Sequence, residues 1–258
     1  MATPLSWSSA AASDVGRVRT VNEDACLDVP QQGIWAVADG MGGHDAGDFA
    51  SRMIVDALAS LDARSGLAPR VAAARAALQT VNRRLREEAA LRHVRTIGST
   101  VAACLASDRR CALLWAGDSR VYLYRDARLR QITHDHTQVE VLREQGYLSA
   151  EEARQHPAHH LITRAVGAAP WLEIDETRID VGDGDLLLIC SDGLTNEVDD
   201  ASIALALTQA AGDCDEAARV LIDLALSRGA RDNVSVVVLR ASDPSADDRT
   251  LFNPSLTL

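Results

Sequence analysis

Four aspartates stand against the ends of apolar runs. "IWAVAD" ends at Asp39, "LLWAGD" at Asp118 and "LLLICSD" at Asp192, while Asp232 directly precedes "NVSVVVL". Continuous apolar runs of this length read as strands buried on both faces. Such strands pack centrally, so carboxylates at their ends can share one rim. Two ionised carboxylates about 5 Å apart at an effective dielectric of about 20 repel by about 3 kcal/mol. Protonation or an intervening cation relieves that repulsion. The chain has no lysine to serve as the cation, and ligands that are all oxygen favour Mg²⁺ or Mn²⁺ over zinc. Gly40, after Asp39, leaves the backbone carbonyl bare enough to become a ligand itself. Taken singly, each aspartate fits an ordinary turn, as Asp183 in "VGDGD" does. It is the coincidence of four that points to a metal site.

The elements that must position these residues alternate in blocks. Short strands are expected at "WSSAAAS", "ACLDV" and "GIWAVAD", then helices over 47–62 and 68–92 from apolar residues at helical spacing. Hairpin-spaced strands follow at "STVAACLAS", "CALLWAG", "RVYLYRD" and "RLRQIT". Residues 134–170 interrupt the rhythm with a His-rich, partly helical stretch. Strands resume at "LEIDETRIDV" and "DLLLICS", helices at 199–210 and 214–228, and a last strand at "VSVVVLR". Asp213 and Glu216 have capping-box spacing, and Gly229 suits the end of that helix. Blocks of strands and helices, without βαβ alternation, indicate an α+β fold. The domain is expected over 1–240, with 241–258 as a polar tail.

Composition removes several classes. With 258 residues, 47% of them hydrophobic, the chain can bury one large core. A net charge of −11 and the lack of a basic tract argue against a nucleic-acid partner. All 26 basic residues are arginine, which excludes a Walker-type phosphate loop and a Schiff-base lysine. The five cysteines are odd in number and scattered, which points to a reducing compartment. No signal-peptide pattern or membrane-length apolar run is visible. The expectation is a cytoplasmic monomer with no membrane partner.

The motifs "RTVNEDA" (19–25), "VADGMGGHDAGDFAS" (37–51), "GSTVAACL" (98–105), "WAGDSRVYLYRD" (115–126), "LITRAVG" (161–167), "ICSDGLTNEV" (189–198) and "GARDNVSVVV" (229–238) occur in that order. Together they resemble the bacterial metal-dependent Ser/Thr protein phosphatases of type 2C, over roughly residues 10–240. The resemblance implies a four-layer α/β/β/α sandwich of two central antiparallel sheets flanked by helices, with metals in a cleft at one end. By position, Asp39 looks like the carboxylate bridging two metals, Gly40 like a carbonyl ligand of one, and Asp192 and Asp232 like ligands of the other. Asp118 matches the residue that, with Asp192, holds a weaker third ion, and Glu23 and Asp24 match residues that bind or orient metal waters. Arg19 matches the phosphate-binding arginine, with Arg17 as the register alternative. The implied reaction is hydrolysis of phosphoserine and phosphothreonine in proteins by water activated between two Mn²⁺ or Mg²⁺ ions, opposing a bacterial Ser/Thr kinase. A phosphoprotein-binding module and a small-molecule phosphatase are the competing readings. Many eukaryotic members carry a proposed general-acid histidine where this chain has Met41, and His44 does not inherit that role by default.

Two other patterns invite chemistry. "CLASDRR", Cys104 to Arg110, has the C-x₅-R spacing of cysteine phosphatases, but it lacks glycine and carries an aspartate that would repel phosphate. It reads as a hairpin turn. The "HDH" and "HPAHH" histidines could hold zinc; the resemblance instead makes 134–170 a variable flap beside the cleft.

Overall fold

The computed structural model describes residues 4–42, 46–149, 152–153, 156–158 and 160–245. His44, His159 and the end of the expected tail, 246–258, lie outside the described residues. One antiparallel sheet holds β1 (Ser6–Asp14), β7 (Arg120–Arg125), β8 (Arg128–Gln131), β10 (Leu186–Cys190) and β11 (Val234–Ser242), in the order β1-β11-β10-β7-β8. The other holds β2 (Asp24–Val29), β3 (Ile34–Gly42), β5 (Val101–Ser107), β6 (Arg110–Ala116) and β9 (Asp175–Asp180), in the order β2-β3-β5-β6-β9. A short β4 (Ile97–Ser99), not foreseen from the sequence, pairs with the end of β3.

Side-chain alternation along the strands divides the interior into three apolar layers. Trp35, Val37, Leu113, Leu187, Ile189 and Val237 meet between the two sheets. The alternate residues of β3, Ile34, Ala36 and Ala38, face α1 (Ala46–Ala59) and α2 (Leu67–Leu91). On the outer face of the first sheet, Leu186, Leu188, Val236 and Val238 pack with residues of α5 (Asp200–Gln209) and α6 (Cys214–Arg228). Antiparallel sheets commonly leave one face to water, with polar residues at every second position. Here helices cover the outer face of each sheet, which is why the central stretches of β3, β10 and β11 are apolar on both faces. The four-layer sandwich expected from the sequence is the observed architecture.

Local signals place the helix ends. Asp213 caps α6 by accepting from the Glu216 N–H at 3.0 Å, and Gly229 closes it with its N–H on the Ala225 carbonyl. Asp199 caps α5 in the same way, accepting from the Ser202 N–H at 2.9 Å. The His-rich stretch contributes α3 (Gln138–Glu144), capped by Thr137. β11 runs past the expected domain end at 240: Ser242 and Ala241 pair with Ser6 and Trp7, and Asp243 accepts from Arg109 at 2.9 Å.

Candidate active site

β3, β6 and β10 finish at the same end of the sandwich, where β11 begins. Asp39 lies near the end of β3, cross-strand from Asp24 at the start of β2. Its N–H donates to Thr100 Oγ1 at 3.1 Å and its carbonyl accepts the Thr100 N–H at 2.8 Å. Asp118 follows β6 in a turn braced by the Thr100–Ser119 hydroxyl contact at 2.7 Å. Asp192 opens α4 (Asp192–Thr195), directly after β10, and its Oδ2 accepts from Asn196 at 3.0 Å. Asp232 ends the turn into β11, and Arg19 Nη2 donates to its Oδ2 at 2.8 Å. Arg19 is therefore the arginine at the acidic cluster. Arg17 is exposed and has its N–H on the Ala230 carbonyl at 2.8 Å.

Electrostatics shows how closely these groups are gathered. Burial, then the charges of Asp24, Asp192, Asp118 and Asp232, push the Asp39 carboxyl well above the usual range. Asp118 rises through burial and then through Asp192 and Asp135. Asp192 rises through burial and Asp232, offset in part by hydrogen bonds from Asn196 and Asp39. Burial pushes Asp24 up to about 7, against hydrogen bonds from Ser235 and Ser191 and with the charges of Asp192 and Asp232. Asp24 and Asp39 are walled in by protein yet keep a partly exposed face, so the carboxylates line a cleft that an ion can enter. Among the described residues, no three acidic, histidine or cysteine side chains close around one point as a finished metal cage. The aspartates share a cleft and a field.

The donor set suits a hard divalent cation. It is all oxygen, the carboxyls of Asp24, Asp39, Asp118 and Asp192 are raised by burial and then by neighbouring charge, and Asp24 Oδ1 is buried with no hydrogen-bond partner. An orphaned buried carboxylate oxygen costs on the order of 1–3 kcal/mol, a cost that a coordinated ion removes. Asp24, Asp39, Asp118, Asp192 and Asp232 could hold such ions, with the Gly40 carbonyl beside them. Glu23 is set differently: its Oε1 accepts the Gly47 N–H at the start of α1 at 3.1 Å, and burial, ahead of that hydrogen bond, leaves its carboxyl raised.

The two Asp-Gly pairs have a second cause that sequence reasoning missed. A Cβ on Gly40 would lie 2.1 Å from the Gly47 carbonyl oxygen, and one on Gly193 would lie 1.9 Å from the Asn233 carbonyl oxygen. Backbone runs so close behind each aspartate that only glycine fits there. Asn233 was missed as well. Its Nδ2 donates to the Val15 and Val21 carbonyls at 2.9 and 3.0 Å, and its Oδ1 accepts the Glu23 N–H at 2.8 Å. One buried amide thus ties down the loop that carries Arg19. Ser191 Oγ donates to Asp24 Oδ2 at 2.8 Å and accepts the Ser235 N–H at 3.0 Å. The only sequence signal for either residue was its place next to a predicted metal aspartate.

The other patterns resolve as structure. Cys104 is buried between the sheets, and contact with Cys111 together with burial drives its thiol pKa far up. Its partner in the C-x₅-R spacing, Arg110, is on the next strand beyond a turn at 108–109. Asp183 is the turn residue it looked like, accepting the Asp243 N–H at 2.8 Å.

A protein phosphatase 2C family model matches residues 16–222. The serine/threonine protein phosphatase PstP of Mycobacterium tuberculosis is 40% identical over 240 residues, 91% of this chain and 45% of PstP. The chain thus spans about half the length of that relative. The solved structure of PppA, a regulatory component of the type VI secretion system in Pseudomonas aeruginosa, superposes with a TM-score of 0.86 at 44% identity, covering 93% of this chain and 99% of PppA. A PstP catalytic domain in complex with two manganese ions superposes with a TM-score of 0.84 at 38% identity, covering 93% of this chain and all (100%) of that one. No helix among the described residues is long and apolar enough to cross a membrane. With this sandwich and this rim of aspartates, the chain belongs to the protein phosphatase 2C family.

Proposed function

We propose that the chain hydrolyses phosphoserine and phosphothreonine in proteins, opposing a Ser/Thr kinase and acting as a monomer. The observation that carries this reading is a cleft of carboxyls raised by burial and by one another's charge, with the Arg19 guanidinium at its mouth. In this reading Asp39, the Gly40 carbonyl, Asp192 and Asp232 hold two Mn²⁺ or Mg²⁺ ions, Asp118 with Asp192 holds a weaker third, and Glu23 and Asp24 bind or orient their waters. Bound there, such ions supply Lewis acidity to water and to phosphoryl oxygens. The PstP domain with two manganese ions supports that assignment.

The chain's own residues supply orientation. Arg19 has a side chain 50% exposed and engages Asp232 through Nη2 only. The rest of its planar fork can take two phosphoryl oxygens, a match that a point charge would not make. Asn233 keeps the Arg19 loop in place through Val15, Val21 and Glu23. Ser191 fixes Asp24 by donating to its Oδ2. Met41 cannot donate a proton, so the leaving serine or threonine oxygen takes its proton from another source.

Hydrolysis of a phosphothreonine peptide and of p-nitrophenyl phosphate, with Mn²⁺ and with chelator, tests the proposal. Manganese-dependent release of phosphate from both substrates is expected. Turnover in chelator would refute the metal reading, p-nitrophenyl phosphate alone would favour a small-molecule enzyme, and peptide binding without turnover a regulatory module.

A further inference from the structure

His136 lies at the root of the 134–170 segment and is 8% exposed. It grips the residue before Asp118 twice. Its own N–H donates to the Gly117 carbonyl at 2.9 Å, and the Gly117 N–H donates to its Nδ1 at 3.1 Å. An Nδ1 that accepts leaves the ring proton on Nε2. That nitrogen meets Asp175 Oδ2 at 3.2 Å, while Asp175 Oδ1 accepts from Arg164 at 2.8 Å. The ring stacks on Trp115, with centroids 6.2 Å apart and planes 16° apart. Across the segment, the Thr163 N–H donates to the His136 carbonyl at 2.7 Å. One residue, through its backbone and its ring, therefore joins both ends of the segment and the edge of the second sheet to the turn that presents Asp118.

We infer that His136 is a positioning residue: its Nδ1 acceptor, kept in that tautomer by Asp175 at Nε2, holds the Gly117 turn that presents Asp118 and so sets how tightly Asp118 and Asp192 bind their shared divalent ion. This rests on the reading of Asp118 as a metal ligand. A buried histidine serving only as packing would need neither the Nδ1 acceptor nor the Asp175 orienter. Asparagine places an acceptor oxygen near the Nδ1 position, whereas glutamine places its amide near Nε2, so the two substitutions separate the contacts.

Mn²⁺ is titrated into metal-free wild type, His136→Asn, His136→Gln, His136→Ala and Asp118→Asn, with free Mn²⁺ read by electron paramagnetic resonance. Exchange of the Gly117 amide is followed in parallel without metal. His136→Gln and His136→Ala are expected to weaken the weakest site by about tenfold or more, while His136→Asn stays within about threefold of wild type. The Gly117 amide should exchange faster in the first two only. Equal weakening in the Asn and Gln variants, or wild-type binding by the Gln variant, overturns the inference provided that Asp118→Asn abolishes the site. If Asp118→Asn keeps every site, the metal role of Asp118 falls, and the tuning role of His136 with it.

Discussion

The two ends of the sandwich treat acidic residues in opposite ways. At the far end, Arg125 makes two hydrogen bonds to Asp185, Arg109 pairs with Asp243 at 2.9 Å, and Arg110 faces Asp180 at 3.4 Å. At the cleft end, Asp24, Asp39, Asp118 and Asp192 lie in one another's field, and the Arg19 ion pair goes to the more exposed Asp232. Arg120, paired with Asp135 at 2.7 Å, offsets Asp118 and Asp192 only in part, and both stay raised. Buried like charges left together lower stability unless a cation joins them. The contrast therefore separates an end whose acids are paired from the end where, in the proposed reading, divalent ions bind.

The sharpest break in the comparison is to remove one cleft carboxylate. Asp39→Asn should lower kcat on a phosphothreonine peptide by on the order of a thousandfold or more; steady-state kinetics at saturating Mn²⁺ decide this, and a fall under tenfold would undo the site. Chelation should act almost as strongly on turnover and should also reach stability. At a hundred times the dissociation constant, added Mn²⁺ should stabilise the protein by about 2.7 kcal/mol per site, read as a rise in Tm. An unchanged Tm would mean that the cleft carboxylates take no ion.

Removing the tie behind the cleft sits lower on the scale. Asn233→Ala strands the Glu23 N–H and two carbonyls, so it should cost about 1–3 kcal/mol and raise KM through the Arg19 loop more than it lowers kcat. The matched change at the far end, Asp185→Asn, should cost a similar 1–3 kcal/mol in urea unfolding and leave kcat and KM alone. A large kinetic effect there would erase the distinction between the two ends.

The smallest expected effect concerns pH. Burial, with Arg164, holds the His136 pKa below its ordinary value, against the raising influence of Asp175 and Asp135. As pH falls, the unfolded chain takes up the proton first. The stability that the neutral ring lends is therefore complete above about pH 6.5 and declines below it, by at most about 1.4 kcal/mol per pH unit. His136→Asn should flatten that slope in Tm between pH 7 and 5; parallel slopes would contradict the neutral tautomer.

Much of this contrast was legible in the chain itself. Runs such as "IWAVA" and "LLLIC" showed strands covered on both faces, because a half-solvated strand would alternate. The capping residue Asp213 and the turn at 108–109 act within a few residues and followed from local preference. The cleft aspartates were visible as charges abutting buried strands. What escaped were the partners of those residues. β4 is three residues long, too short for any periodicity to register. The Asn233 amide reaches back across more than 200 positions, and Ser191 meets Asp24 across 167.

The sequence alone determined the α+β class, the burial of both faces of the central strands and the candidate carboxylates, because hydrophobic periodicity and strand-end charge are encoded residue by residue along the chain; the four layers were implied by the resemblance. Tertiary structure alone decided why glycine follows Asp39 and Asp192, which arginine reaches the cleft, and that His136 grips the turn before Asp118. Those facts depend on distances of 2–3 Å between segments far apart in sequence, and residue spacing does not record what packs against what.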